Sequence, residues 1–159
     1  MNHLQSWFQL AAVALLIGAA VQDLRTRTIS NGWPIAILLL FLIAYATGGI
    51  AGPIGSHILH FGLALAVGIG LFALGWIGGG DAKLYASIAL WFDIARAPSL
   101  FFCVAITGVV LAAVHLSVRM FQTQETRARA IREGKIAYGV AIALGATLAL
   151  ALALALGLD

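Results

Sequence analysis

The sequence predicts an all-α membrane protein: a polytopic bundle of six transmembrane helices, with both termini on the non-cytoplasmic side. Three observations carry that reading. The 159 residues are 62% apolar and hold only nine basic and six acidic side chains, whereas an ordinary globular domain is about half apolar and a quarter charged. The apolar residues gather into six runs, and the basic residues fall almost wholly on one side of the pattern those runs create. A mean hydropathy of +1.03 excludes a water-soluble enzyme. At ~20 residues per crossing the length leaves room for about six spans and no separate soluble domain, so residues 1–159 read as one domain.

The first run, 4–22, has no Lys or Arg before it and is followed at once by Asp23, Arg25 and Arg27. A cleavable signal peptide has the opposite polarity, so this is a retained helix with its amino end outside. The second run, 33–50, opens at Trp33-Pro34, where the missing proline N–H belongs to the unpaired first turn, and ends in Gly48-Gly49. A Gly52-Pro53-Ile54-Gly55-Ser56 turn leads into the third run, 57–77, as an antiparallel neighbour. The fourth, 78–95, is the weakest: only 84–95 is apolar, and Asp93 interrupts it. Twelve helical residues rise ~18 Å, short of a ~30 Å hydrocarbon core, so it crosses only by starting near Gly78 to Asp81. The fifth run is 98–118 and the sixth 136–158, separated by the polar segment 119–135. The tail 148–156 alternates Leu and Ala like a strand, but an open strand in lipid leaves its backbone unpaired, so helix is expected.

Charge sets the orientation. With six spans and the amino end outside, Arg25, Arg27, Lys83, Arg119, Arg127, Arg129, Arg132 and Lys135 share one side, and Arg96 alone is opposite. Basic residues accumulate on the cytoplasmic side. The net charge of +3 therefore reflects topology, and no aromatic-interleaved basic face points to nucleic acid. The single Cys103 excludes an intramolecular disulfide or a cysteine-built zinc site.

An ionisable side chain at or within a span is a functional candidate because burying it is costly. Asp23 ends the first helix and Asp81 opens the fourth, both at the cytoplasmic end. Asp93, Glu125, Glu133 and Asp159 read as loop or terminal groups, and the i,i+4 spacing of Glu125, Arg129 and Glu133 reads as a surface helix. Two paired aspartates suit amide hydrolysis: one takes a proton from water, the other protonates the carbonyl and then the leaving amine. Such a pair shares a proton over some pH range and requires no metal or cofactor. Gly78, Gly79 and Gly80 remove side chains beside Asp81, allowing a substrate backbone or partner helix close approach. The structural alternative makes Asp81 a helix N-cap with flexible glycines, and Asp23 the ion-pair partner of an arginine.

At these residues the sequence resembles the bacterial type IV prepilin peptidases. Asp23-Leu24-Arg25-Thr26-Arg27-Thr28-Ile29-Ser30-Asn31 is similar to their first signature, an Asp, basic residues and Ile-Pro-Asn. Gly78-Gly79-Gly80-Asp81-Ala82-Lys83-Leu84 matches the Gly-x-Gly-Asp-x-Lys form of the GxGD motif, and 136–143 is similar to the Pro-Tyr-Gly-x-Ala-x-Ala opening of the last helix. Ser30 and Ala137 stand where the family has proline; neither change removes a reacting group. The resemblance implies a bacterial inner-membrane aspartyl endopeptidase that removes the short basic leader of prepilins or pseudopilins at the cytoplasmic face. It implies Asp23 and Asp81 as the catalytic pair, with Gly78, Gly80, Lys83 and Asn31 in support. The short form is similar to the type that serves Flp pilins of tight-adherence systems, without the methyltransferase domain of larger members. Its partners are then the precursor, the bilayer and possible pilus or secretion components.

Lys83 either holds the substrate carbonyl or biases Asp81, or else snorkels to the cytoplasm. Arg25 and Arg27 read as topology and headgroup contacts. His57 and His60 have i,i+3 spacing without a third ligand nearby, so no metal is expected, and His115 reads as interfacial. Trp7, Trp33, Trp76 and Trp91 read as interface anchors. Gly62, Gly68, Gly70 and Gly75 read as packing positions on the third helix. Two competitors remain: a lipoprotein-type signal peptidase, whose pair acts at the outer face, and a small transporter or non-enzymatic secretion subunit with proton-relaying aspartates.

Overall fold

A computed structural model describes residues 3–50, 52–120 and 138–156. Among these are six helices, α1 (His3–Thr26), α2 (Gly32–Ala46), α3 (Ile54–Ala73), α4 (Gly79–Ala89), α5 (Ala97–Met120) and α6 (Tyr138–Leu156), with a 3-10 turn at Ile94–Arg96 before α5. Four of the helical stretches are long and apolar enough to cross a membrane: His3–Thr26, Ile54–Ala73, Ile94–Val118 and Tyr138–Ala155. α2, at 15 residues, is a shorter apolar helix. The Leu/Ala tail is helical to Leu156, as backbone satisfaction in lipid demands. Of the polar segment 119–135, residues 121–135, with the expected Glu125–Arg129–Glu133 face, lie outside the described residues, as do the ends of the sixth run.

The helices alternate in direction. α1 packs against α2 and α6, and α4 packs against α2 and α6, which closes a ring of four; α3 lies on the outer side of α4 and α5 on that of α6. Buried apolar side chains from all four ring helices fill the centre, with Leu16, Ile37, Phe41, Leu84, Ile88 and Ala146 fully enclosed. Because α1 ends where α2, α4 and α6 begin, one carboxyl-terminal end meets three amino-terminal ends at one pole.

The expected fourth span differs most. Its helix has 11 residues, about 17 Å of rise, and stops at Ala89 instead of reaching 95. The chain then turns through Leu90, Trp91 and Phe92, all buried. A turn among apolar surroundings survives only where its carbonyls find partners, and α3 supplies them. His57 Nδ1 lies 2.9 Å from the Leu90 carbonyl and His60 Nδ1 lies 3.0 Å from that of Phe92. Ser56 Oγ accepts from the Ile94 N–H at 3.0 Å. The two histidines are thus caps for a broken segment. Asp93, read as a loop residue, accepts from the Arg96 N–H at 3.0 Å and caps the 3-10 turn.

Other sequence expectations shift for related reasons. Trp7 and Trp76 are exposed near helix ends, as anchors should be, but Trp91 is buried. It meets Phe41 edge-on at 5.9 Å and reaches the Ile37 carbonyl at 3.4 Å. Trp33 packs across Gly18, where a side chain would collide with the indole, and donates its Nε1–H to Gln22 Oε1 at 2.6 Å. Of the third-helix glycines only Gly68 makes a close approach, with Ala82 Cβ 3.0 Å from the place of a Cβ. Gly62 and Gly70 face open space, and Gly75, at φ 74°, lies beyond the helix end. The tightest crossing joins α5 and α6: a Cβ on Gly145 would stand 2.5 Å from Val104 Cα.

Gly68→Val is therefore expected to destabilise the fold by about 1–3 kcal/mol through overpacking, whereas Gly62→Ala stays within about 1 kcal/mol of the parent. Unfolding of both variants in one detergent measures the contrast, and equal effects refute the α3–α4 contact.

Candidate active site

The three motif segments meet at the pole where α2, α4 and α6 begin. Asp23 lies in the last turn of α1, which Arg27 closes in a left-handed conformation (φ 54°) with its N–H donated to the Asp23 carbonyl at 2.8 Å. The Asp23 side chain faces the ring interior and is only 5% exposed. A carboxylate so enclosed requires a donor. The Gly139 N–H, in the opening turn of α6, supplies it at 2.9 Å from Oδ2. The oriented amides at a helix start favour negative charge there.

Asp81 occupies the third position of α4, with Gly78 as the N-cap. An acidic side chain at this position reaches back toward the N-cap backbone, one half of a capping box, and the Asp81 carboxylate interacts with the backbone of Gly78. Each aspartate thus sits at the head of a different helix. The two carboxylates also interact with each other electrostatically.

Glycines make room for this arrangement. A Cβ on Gly139 would stand 2.8 Å from Asp23 Oδ2 and 2.9 Å from Ile29 Cδ1. One on Gly80 would stand 3.1 Å from Ile29 Cβ, and one on Gly78 2.7 Å from Asp81 Oδ2. Ile29 is therefore wedged between the heads of α4 and α6 and bridges the two aspartate segments. The loop carrying it is tied to α1 through Gln22, whose Oε1 accepts from the Ser30 N–H at 3.2 Å as well as from Trp33.

Lys83 and Asn31, the polar residues named from the sequence, are brought together: Lys83 Nζ donates to Asn31 Oδ1 at 3.0 Å in an exposed position. This contact links the loop before α2 to α4 at the same pole. Asp23, Asp81, Gly78, Gly80, Lys83 and Asn31 thus all lie at the same pole. The sequence reading missed Gln22, Ile29 and the role of Gly139. The glycine stood inside a recognised segment, and its place at the opening of an apolar run after a polar stretch was the available signal. Asp23, for which the sequence also allowed an arginine partner, has a backbone partner in Gly139. Asp81 is not the N-cap that the structural alternative made it: Gly78 holds that position, and the Asp81 carboxylate, from the first turn, meets the Gly78 backbone.

The described pockets lie elsewhere. An open groove between α1 and α2 is lined by Gly18, Gln22, Arg25, Ser30 and Trp33 among others, and by neither aspartate. A smaller cavity lies at the opposite pole, near His57. Among the described residues, no three of His, Cys, Asp and Glu gather as metal ligands would.

The family model for the type IV leader peptidase family matches residues 10–113, a stretch that includes both aspartates and ends before Gly139. No curated protein and no solved structure matches the chain.

The Lys83–Asn31 contact is exposed, so a double-mutant cycle of Lys83→Met and Asn31→Leu should give a coupling energy below about 1 kcal/mol. Chemical or thermal unfolding of the four proteins measures it; a coupling several times larger shows that the link is shielded from solvent.

Proposed function

The chain belongs to the type IV leader peptidase family, and on that premise we propose that it is an aspartic endopeptidase that uses Asp23 and Asp81 to cleave prepilin or pseudopilin leaders. Family membership makes it a peptidase, and its apolar helices make it a membrane protein. The observation that carries the finer reading is the meeting of two carboxylates, from motifs about 60 residues apart in the chain, at one pole of the ring.

In the proposed reaction one aspartate, ionised, takes a proton from a water molecule as that water attacks the scissile carbonyl. The other, protonated, delivers its proton to the carbonyl oxygen, giving a neutral tetrahedral diol. Collapse of the diol breaks the C–N bond while the nitrogen receives a proton, so that peptide and water become a carboxylic acid and an amine. The glycines beside each aspartate leave space for an extended substrate backbone. The shared dependence on one protonated and one ionised group gives activity a bell-shaped pH profile. No step uses a metal.

We place the site at the cytoplasmic face of a bacterial inner membrane, with six crossings and both termini outside, because that arrangement gathers eight of the nine basic residues on one side. The enclosed position of α4 between α2, α3 and α6 supports counting it as a crossing despite its 11 residues. Flp-type precursors are the substrates we propose to test first.

Purified protein in proteoliposomes with an Flp-like precursor tests the reading. Asp23→Asn and Asp81→Asn should each lower the cleavage rate by at least about 10³-fold while keeping the helical circular-dichroism signal of the parent; cleavage by either variant at near-parent rate removes the assignment. Gly139→Ala should slow cleavage by about tenfold or more, since its methyl group meets Asp23, and an unaffected rate shows that the carboxylate is not held there. Sidedness reporters in residues 51–55 and 119–135 should report opposite faces, with the second cytoplasmic; the reverse places the pair outside and favours the signal-peptidase alternative.

A further inference from the structure

At the pole opposite the aspartates, Gln5 and Gln9 of α1, His57 of α3, the 91–93 turn, Arg96 and the far part of α6 enclose a cavity of about 50 Å³. His57 is 3% exposed. Its Nδ1 faces the Leu90 carbonyl at 2.9 Å, and a carbonyl oxygen only accepts, so the Nδ1 atom carries the proton. In the neutral ring Nε2 is then a bare acceptor, and this atom is buried with no hydrogen-bond partner. Gln9 Oε1, a second buried acceptor on the same cavity, also lacks one. Asp93 adds a carboxylate whose Oδ1 already accepts from the Arg96 N–H and pairs with Arg96 Nε at 4.0 Å.

Two orphaned acceptors on one cavity call for donors, because a buried polar group without a partner is destabilising. A water needs only ~10–15 Å³ of such space, so the cavity admits a few molecules of that size and nothing much larger. Phe41, 5.5 Å from the His57 ring between centroids, helps to fix the imidazole so that Nε2 keeps its direction. We propose that this cavity is a binding site for water-sized hydrogen-bond donors, which connect Gln9 Oε1 to His57 Nε2. The bound molecules tie the amino-terminal half of α1 to the corner between α3 and α4, elements of the fold that meet little otherwise. Water and ammonium share the required chemistry.

The test uses the full chain in lipid nanodiscs. Water-selective NMR on protein carrying ¹⁵N-histidine, with His57 assigned by comparison with His57→Phe, should show a neutral ring protonated on Nδ1 and a water or ammonium contact at Nε2. A ring without such a contact overturns the proposal. Adding ammonium chloride or sodium chloride at equal ionic strength separates the sources: a His57 signal that follows ammonium alone identifies ammonium, and one indifferent to both identifies water. Thermal unfolding of Gln9→Leu gives an independent reading that does not require the histidine variant to fold. If the cavity is filled, the variant removes a partner and its midpoint falls by about 2–4 °C. If the cavity is dry, leucine relieves an unsatisfied amide, and a midpoint that rises or stays unchanged overturns the proposal.

Discussion

The bond from the Gly139 N–H to Asp23 is the contact on which the rest of the pole depends. An almost fully buried carboxylate among apolar helices is unfavourable unless a donor meets it, and here the donor is the opening turn of another helix. Satisfying it fixes α6 against α1. It also requires a residue without a side chain at 139, and it leaves a slot that Ile29 fills. Ile29 in turn rests on Gly80, next to Asp81. The spacing of the two aspartates is thus set through backbone and glycine contacts, with one polar link from Lys83 to Asn31 on the rim.

The opposite pole solves a different problem with similar means. α4 is too short to cross a hydrocarbon core as a lipid-facing helix, yet its enclosed position lets the chain break at Leu90 to Phe92 without exposing carbonyls to lipid. His57 and His60 close those carbonyls from the neighbouring helix. The outer helices α3 and α5 keep large apolar side chains such as Leu63, Val67, Ile106 and Val110 exposed, as bilayer contact allows. Among the described residues, charged side chains such as Asp23, Arg25, Asp81 and Lys83 stand at one pole and Asp93 and Arg96 at the other, and mostly apolar packing occupies the length between them.

Much of this was legible in the sequence because lipid restricts the solutions. The apolar runs became helices, the glycine and proline punctuation marked most of their ends, and the Leu/Ala tail proved helical because no strand is tolerable there. Scarcity of charge singled out Asp23 and Asp81, and the structure brings them to one pole. Length and composition failed for the 78–95 run because the helix break depends on histidines about 30 residues earlier in the chain. Trp91 was misplaced at an interface for the same reason: only the tertiary turn shows that it points inward toward Phe41. Gly62 and Gly70 looked like packing positions, but which glycine meets a neighbour depends on helix rotation, and that face was taken by Gly68.

The donor to Asp23 belongs to the main chain, so no codon specifies it. A mutational scan at position 139 would register only intolerance of bulk, because eighteen of the nineteen replacements keep the N–H while adding atoms. The electrostatic contribution would stay hidden beneath that steric signature. Two separable demands thus coincide on one residue, and a backbone ester at this position, which removes the hydrogen without adding volume, is the chemical probe that tells them apart.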